Sequence, residues 1–202
     1  MTSVLGILCE IIAPVTDMRS HTAIPYCVMD PWVFFEIGFP KGEPMDRIEM
    51  RLNRKASPKL VDNFIALCKG EGPRFEFGIQ PSFQGAPLFT LDKARGIIVT
   101  GDYILRNGCG GRASDKNGIV QDVEVKCGPA SAGSIVMLPV DTDPTVYSSI
   151  FCILTSDTSY IEGKVIGKVT KGLDTLQFIM WKYGDMNGIP KQYLVIQRCG
   201  QI

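Results

Sequence analysis

A mostly-β domain, closed into a barrel and covered by two α-helices, is the fold that this 202-residue sequence predicts. Two observations carry the expectation. Short runs rich in β-branched and aromatic residues recur along the chain, separated by Gly, Pro and Asp turn signals. Two segments, one early and one late, space their apolar residues as an amphipathic helix does. Many short strands with such a pair of helices suit a covered barrel, and closure removes the sticky edges that the strands would otherwise present.

The elements follow in order. Residues 1–31 form an apolar N-terminal extension that ends at Asp30-Pro31, and residues 32–202 form the domain. Trp32 to Ile37 reads as a strand, and Pro40 to Pro44 as a turn. Ile48, Met50 and Leu52 alternate with Glu49, Arg51 and Asn53, the period of a half-buried strand. Ser57-Pro58 opens a helix, because the serine oxygen can accept from free amides and proline suits the first turn. Val61, Phe64, Ile65 and Cys68 share its buried face, Asn63 reads as surface, and Gly70 suits the stop. Strands are expected over Gly96–Thr100, Ser134–Val140, Ser149–Thr155, Lys164–Val169 and Tyr193–Gln197. The late helix fits Leu173 to Tyr183, with Leu173, Leu176, Met180 and Tyr183 on one side.

Composition narrows the function. Lys+Arg and Asp+Glu are both 21, so the net charge is near zero, and nothing marks a nucleic-acid or anionic-membrane surface. No run approaches bilayer-spanning length. The start, Val4 to Ile12, lacks the basic flank of a signal peptide and is interrupted by Glu10. Seven cysteines (Cys9, Cys27, Cys68, Cys109, Cys127, Cys152, Cys199) include no C-x-x-C pair, and several sit in apolar runs. They read as buried, reduced thiols, which points to cytoplasm or nucleus. With His21 the single histidine, no metal site and no cofactor are expected.

From about Val33 to Ile202 the chain resembles the cyclophilin family of peptidyl-prolyl isomerases. The likeness rests on Val33-Phe34-Phe35-Glu36-Ile37, Gly42-Glu43-Pro44 and the run Val61 to Gly72. It continues with Gly101-Asp102-Tyr103, Asn107-Gly108-Cys109-Gly110-Gly111, Gly128-Pro129, Glu162-Gly163-Lys164, Ile166 to Val169 and Cys199-Gly200-Gln201. The resemblance implies an eight-stranded antiparallel barrel with a helix over each end. Gly108, Gly110 and Gly111 lack the strand–loop–helix context of a phosphate-cradling loop and read as structural.

The family's chemistry is rotation about X-Pro bonds, whose barrier is about 18–20 kcal/mol. The resemblance implies an arginine that donates toward the prolyl nitrogen, beside an aromatic pocket for the proline ring. Counted back from Gly101-Asp102, that arginine falls on Leu91, or on Thr90 with a one-residue slip. Lys93 and Arg95 lie nearby, at other family positions. The family's pocket phenylalanine, methionine and glutamine fall on Gly96, Ile97 and Val99. A second pocket phenylalanine falls on Cys152, the tryptophan on Tyr160 and the pocket leucine on Ile161; the following histidine is missing. The backbone-binding Ala-Asn pair falls on Leu138-Pro139 counted forward from Gly133, or on Val140-Asp141 counted back from Glu162. The first keeps Met137 on the family's methionine.

Loss of one preorganised donor typically costs about 3–4 kcal/mol of transition-state stabilisation. Together these changes lead to the expectation of a catalytically inactive domain that serves as an interaction module or assembly subunit. The alternatives are an isomerase with a rearranged site and a proline-peptide binder without turnover. Cyclosporin-type ligands are expected to bind weakly or not at all. Protein partners are expected at Val4, Leu5, Ile7, Leu8, Ile11 and Ile12 of the extension, which need cover from water, or at Tyr160.

Overall fold

The computed structural model describes residues 30–123, 128–140 and 143–202. The expected contact residues Val4, Leu5, Ile7, Leu8, Ile11 and Ile12 lie outside the described residues, as do Cys9, His21, Cys27, Cys127 and Asp141.

The domain opens with an antiparallel pair, β1 (Trp32–Gly38) and β2 (Asp46–Leu52). Val33 faces Met50 and Phe35 faces Ile48 across the ladder, and all four are buried. Helix α1 (Pro58–Lys69) follows. The Leu60 amide donates to Ser57 Oγ at 3.2 Å, and Gly70, at φ 70°, ends the helix in the left-handed conformation that glycine adopts without strain. Asn63 corrects the sequence reading: it is buried, not surface. Its amide group donates to the Ser148 carbonyl at 3.1 Å and accepts from the Ser114 amide at 2.8 Å, tying α1 to the sheet and to a loop.

The remaining strands are β3 (Thr90–Asp92), β4 (Ile97–Thr100), β5 (Val120–Gln121), β6 (Gly128–Ala130), β7 (Ser134–Val140), β8 (Asp143–Leu154), β9 (Thr158–Ile161) and β10 (Lys164–Lys171). Helix α2 (Leu173–Tyr183) and β11 (Val195–Gln201) complete the chain. The main sheet runs β11-β1-β2-β10-β7-β8-β4-β3, with β5 also on β8, while β6 and β9 make a separate pair. All these ladders are antiparallel. Strand β8 begins six residues before the expected Ser149, and the short β3, β5, β6 and β9 have no counterpart among the expected strands.

The sheet curls antiparallel around its core with two helices, as expected, but "closed" is slightly too strong a word for it. No ladder joins β3 to β11 among the described residues. The gap is spanned by an irregular segment in which Ala86 and Ile196 bond through Ile196 N–H to Ala86 O at 2.9 Å, and Leu88 N–H donates to Leu194 O at 2.9 Å. Pro87 lies between these residues and has no amide to continue a ladder, so pairing is confined to an isolated bridge with Val195. Inside the curl, Phe35, Phe64, Phe83 and Phe151 form a tetrad in which each ring meets the other three, at centroid distances of 4.9–5.9 Å.

Candidate functional site

Successive side chains of a strand point to opposite faces. In β4, β7 and β8 both faces are apolar and both are used. Ile98, Ile135, Met137, Phe151 and Ile153 point into the barrel core. Their neighbours Ile97, Val136, Cys152 and Leu154 form a second cluster on the outside, joined by Val99, Leu138 and Ile161. Ile97, Val99, Leu138, Cys152 and Ile161 of this outer cluster form the floor of a groove of about 1,090 Å³. Its walls are the β3–β4 turn at Arg95, the loop at Gly108, Cys109 and Gly111, the Pro139-Val140 end of β7, and the continuous run Ser156 to Glu162.

The loop wall is shaped by one carboxylate. Asp102, fully buried, accepts from the amides of Ile104 and Leu105 through Oδ1 and from those of Asn107, Gly108 and Gly110 through Oδ2, at 2.8–3.1 Å. Burial pushes its pKa up, but the amide donors outweigh burial and hold it below the ordinary aspartate value. A residue with five amides to satisfy fixes the course of the chain that carries Gly108 and Cys109 to the groove.

Of the positions read from the sequence, Ile97, Val99, Leu138, Pro139, Cys152, Tyr160 and Ile161 line the groove. Leu91 and Gly96 do not, and both placements are corrected here. The β3–β4 ladder sets Thr90 opposite Val99, Leu91 opposite Ile98 and Asp92 opposite Ile97. Directly opposed residues share a face of the sheet. Leu91 therefore goes with Ile98 into the barrel core, where it is 0% exposed, while Thr90 and Asp92 share the face of the groove-lining Val99 and Ile97. The slipped count, which lands on Thr90, agrees with this register. Gly96 sits in the turn at φ 64°, a left-handed conformation that favours glycine, and a Cβ there would press on the Ser156 side chain.

The groove also holds residues that counting set aside. Arg95 lines it and is the one cation among the described lining residues. Its Nε donates to Asp92 Oδ2 at 2.6 Å and its amide to Oδ1 at 3.0 Å. Burial works to raise the Asp92 pKa, and these two bonds and the guanidinium charge turn it downward instead. The signal available in the sequence was the Asp92/Arg95 spacing around a glycine turn. Cys109 is an exposed thiol at the rim. Cys152, by contrast, is a closed-in thiol whose pKa burial pushes up to about 12 against the opposing charge of Arg95. It is an apolar floor group and not a nucleophile. Tyr160 is 64% exposed on β9, where Thr158 Oγ1 accepts from its amide at 3.2 Å and donates to its carbonyl at 2.9 Å. An apolar floor with one bridged cation and a large aromatic at its edge can seat an extended apolar segment.

Comparison with known proteins places this geometry. The sequence profile described as "Cyclophilin type peptidyl-prolyl cis-trans isomerase/CLD" matches residues 39–201. Peptidyl-prolyl cis-trans isomerase CYP21-1 of Arabidopsis thaliana is 31% identical over 174 residues, covering 84% of this chain and 75% of the relative. The crystal structure of the Mimivirus cyclophilin superposes with a TM-score of 0.68 at 22% identity, over 86% of this chain and 89% of the other. The chain therefore belongs to the cyclophilin-type peptidyl-prolyl cis-trans isomerase family.

Proposed function

We propose that this cyclophilin-type domain holds protein segments in its groove and works as an interaction module, with prolyl isomerisation lost or reduced to a residue. One observation carries the reading. The β3 residues in register with the groove-lining Val99 and Ile97 are Thr90 and Asp92, and neither lines the groove, so the arginine implied by the family has no counterpart on that strand. A threonine hydroxyl is a neutral donor, and the buried Asp92 carboxylate is taken up by Arg95, so β3 offers no cationic donor for the developing lone pair on the prolyl nitrogen. The aromatic wall is reduced too, since Cys152 on the groove floor stands where the family count sets a phenylalanine. The apolar extension 1–31 supplies a further contact for a partner in this reading, and cytoplasm or nucleus is the compartment that a chain with its cysteines reduced would suit.

A second reading rests on Arg95. It is a groove-lining guanidinium, close enough to the floor for its charge to act on the Cys152 thiol. A rearranged isomerase would use it as the donor, with Asp92 fixing its orientation. Against this stands the Asp92 bond itself, which spends Nε and offsets the charge.

The deciding measurement is cis–trans exchange of a short X-Pro peptide by NMR, with an active cyclophilin as control. Turnover is expected to be at least ~100-fold below the control, the loss that one missing donor produces. Turnover near the control that vanishes in Arg95→Ala would establish the rearranged isomerase instead. Peptide resonances that shift on adding the protein, without accelerated exchange, would mark binding without turnover.

Calorimetric titration with cyclosporin is expected to show no submicromolar binding, because an apolar ligand gains little from the small Cys152 side chain where a ring would stand. Submicromolar affinity would mean that the altered floor still forms a competent pocket.

A further inference from the structure

The outward face of α2 presents a feature that the groove does not explain. The helix buries Leu176, Ile179, Met180 and Tyr183 against the barrel. On the opposite side Phe178 is 46% and Trp181 68% exposed, with ring centroids 6.1 Å apart. Just past the helix Met186 adds another exposed apolar side chain. Single exposed hydrophobics are ordinary, but adjacent aromatics on one helix face mark a contact surface.

The charges beside these rings are arranged symmetrically. Asp174 stands four residues before Phe178 and Lys182 four residues after it, all three exposed. At 100° per residue they form one stripe with Trp181, and the two charges are about 12 Å apart along the axis. Lys182 Nζ already lies 5.3 Å from the Phe178 ring centroid, at the edge of the aromatic patch. Each charge also suits its end of the helix dipole, Asp174 in the first turn and Lys182 in the last. The dipole leaves the exposed rings unexplained.

We propose that the occupant of this face is a second copy of the chain, docked antiparallel about a two-fold axis through Phe178. An isologous contact must be complementary to itself. Turned about that axis, Asp174 of each copy meets Lys182 of the other, and the two Phe178 rings meet at the centre, flanked by Trp181. The same face would fit the chain's own apolar segment less well. Residues 1–12 carry Glu10 as their single charged side chain, which cannot answer both an aspartate and a lysine. The dimer is independent of what the groove binds.

The contact is one helix wide, which places it among the small, weak and transient interfaces. Sedimentation velocity on the full chain, from about 5 to 500 μM, is expected to show a monomer–dimer equilibrium. Phe178→Ala with Trp181→Ala should weaken it at least tenfold, with an unchanged melting temperature confirming that these exposed sites do not serve the fold. Asp174→Lys alone and Lys182→Asp alone should each weaken self-association. An equimolar mixture of those two variants should recover it, because the heterodimer carries two opposite-charge pairs. A monomer at every concentration would overturn the proposal. So would a dimer indifferent to the aromatic substitutions, or one that the mixture does not recover. A dimer that is lost on removing residues 1–29 but ignores the α2 variants would assign self-association to the extension and overturn it as well.

Discussion

Alanine in place of Phe64 is expected to destabilise the domain by about 3–5 kcal/mol, the range for deleting a fully buried ring. Phe64 is the contribution of α1 to the phenylalanine tetrad, and it touches Phe35 of β1, Phe83 of the connecting segment and Phe151 of β8. Its removal leaves three rings facing a void that they fill only by shifting out of their own contacts at 5.1–5.9 Å. Guanidinium unfolding followed by tryptophan fluorescence should show the transition midpoint falling with little change in slope. A loss under about 1 kcal/mol would mean that α1 can shift to refill the site.

The second large effect is expected from Asp102→Asn. The substitution keeps the shape and replaces an acceptor with an NH₂ group that faces amide donors. Hydrogen bonds to a charged group are worth about 1.5–3 kcal/mol each, and buried donors left without partners add their desolvation cost. A destabilisation of about 4 kcal/mol follows, with the loop at Gly108 and Cys109 losing its course and the groove its wall. The pH dependence has a definite sign. The folded pKa of Asp102 is depressed, so its contribution is fully present above the unfolded value of about 3.9 and is lost as pH falls through the folded value. Urea midpoints between pH 2 and 6 should therefore converge for wild type and variant at the acid end. Asp46, Asp92, Asp122 and Asp143 are depressed as well, so the wild type alone cannot isolate Asp102; the difference between the two proteins does. Parallel curves that never converge would show that the carboxylate charge is not what holds the loop.

Long periodic elements were readable from the residues. Helix α1 carries its cap serine, its proline and its stop glycine in sequence, and β2 alternates without exception. Strands β3, β5, β6 and β9 were not, because segments of two to four residues are defined by the partner they pair with and not by their own pattern. The groove's floor was legible where the count along the resembling family stayed in register with a strand, at Ile97, Val99, Cys152 and Leu138. It was illegible at Leu91 and Gly96, because a one-residue difference across a hairpin turn exchanges the two faces of a strand. Arg95 was passed over for the same reason: a left-handed glycine redirects the chain in the next step, and counting along the backbone carries no information about where a turn aims its side chains.

The double-sided packing of β4, β7 and β8 has a bearing on how such a domain diverges. Over Ile135 to Leu138 of β7 and Phe151 to Leu154 of β8 the even-numbered positions, and in β4 the odd-numbered Ile97 and Val99, join the outer cluster under the groove, while their immediate neighbours meet the barrel; the rule ends at the register shift before Pro139. Residue parity thus divides each strand into two independent alphabets written on one backbone. The groove can be rewritten at Val99, Leu138 or Cys152 while Ile98, Met137 and Phe151 stay untouched, and the ladder bonds that join both sets are indifferent to either. A fold arranged in this way can exchange one binding vocabulary for another without passing through an unfolded intermediate sequence.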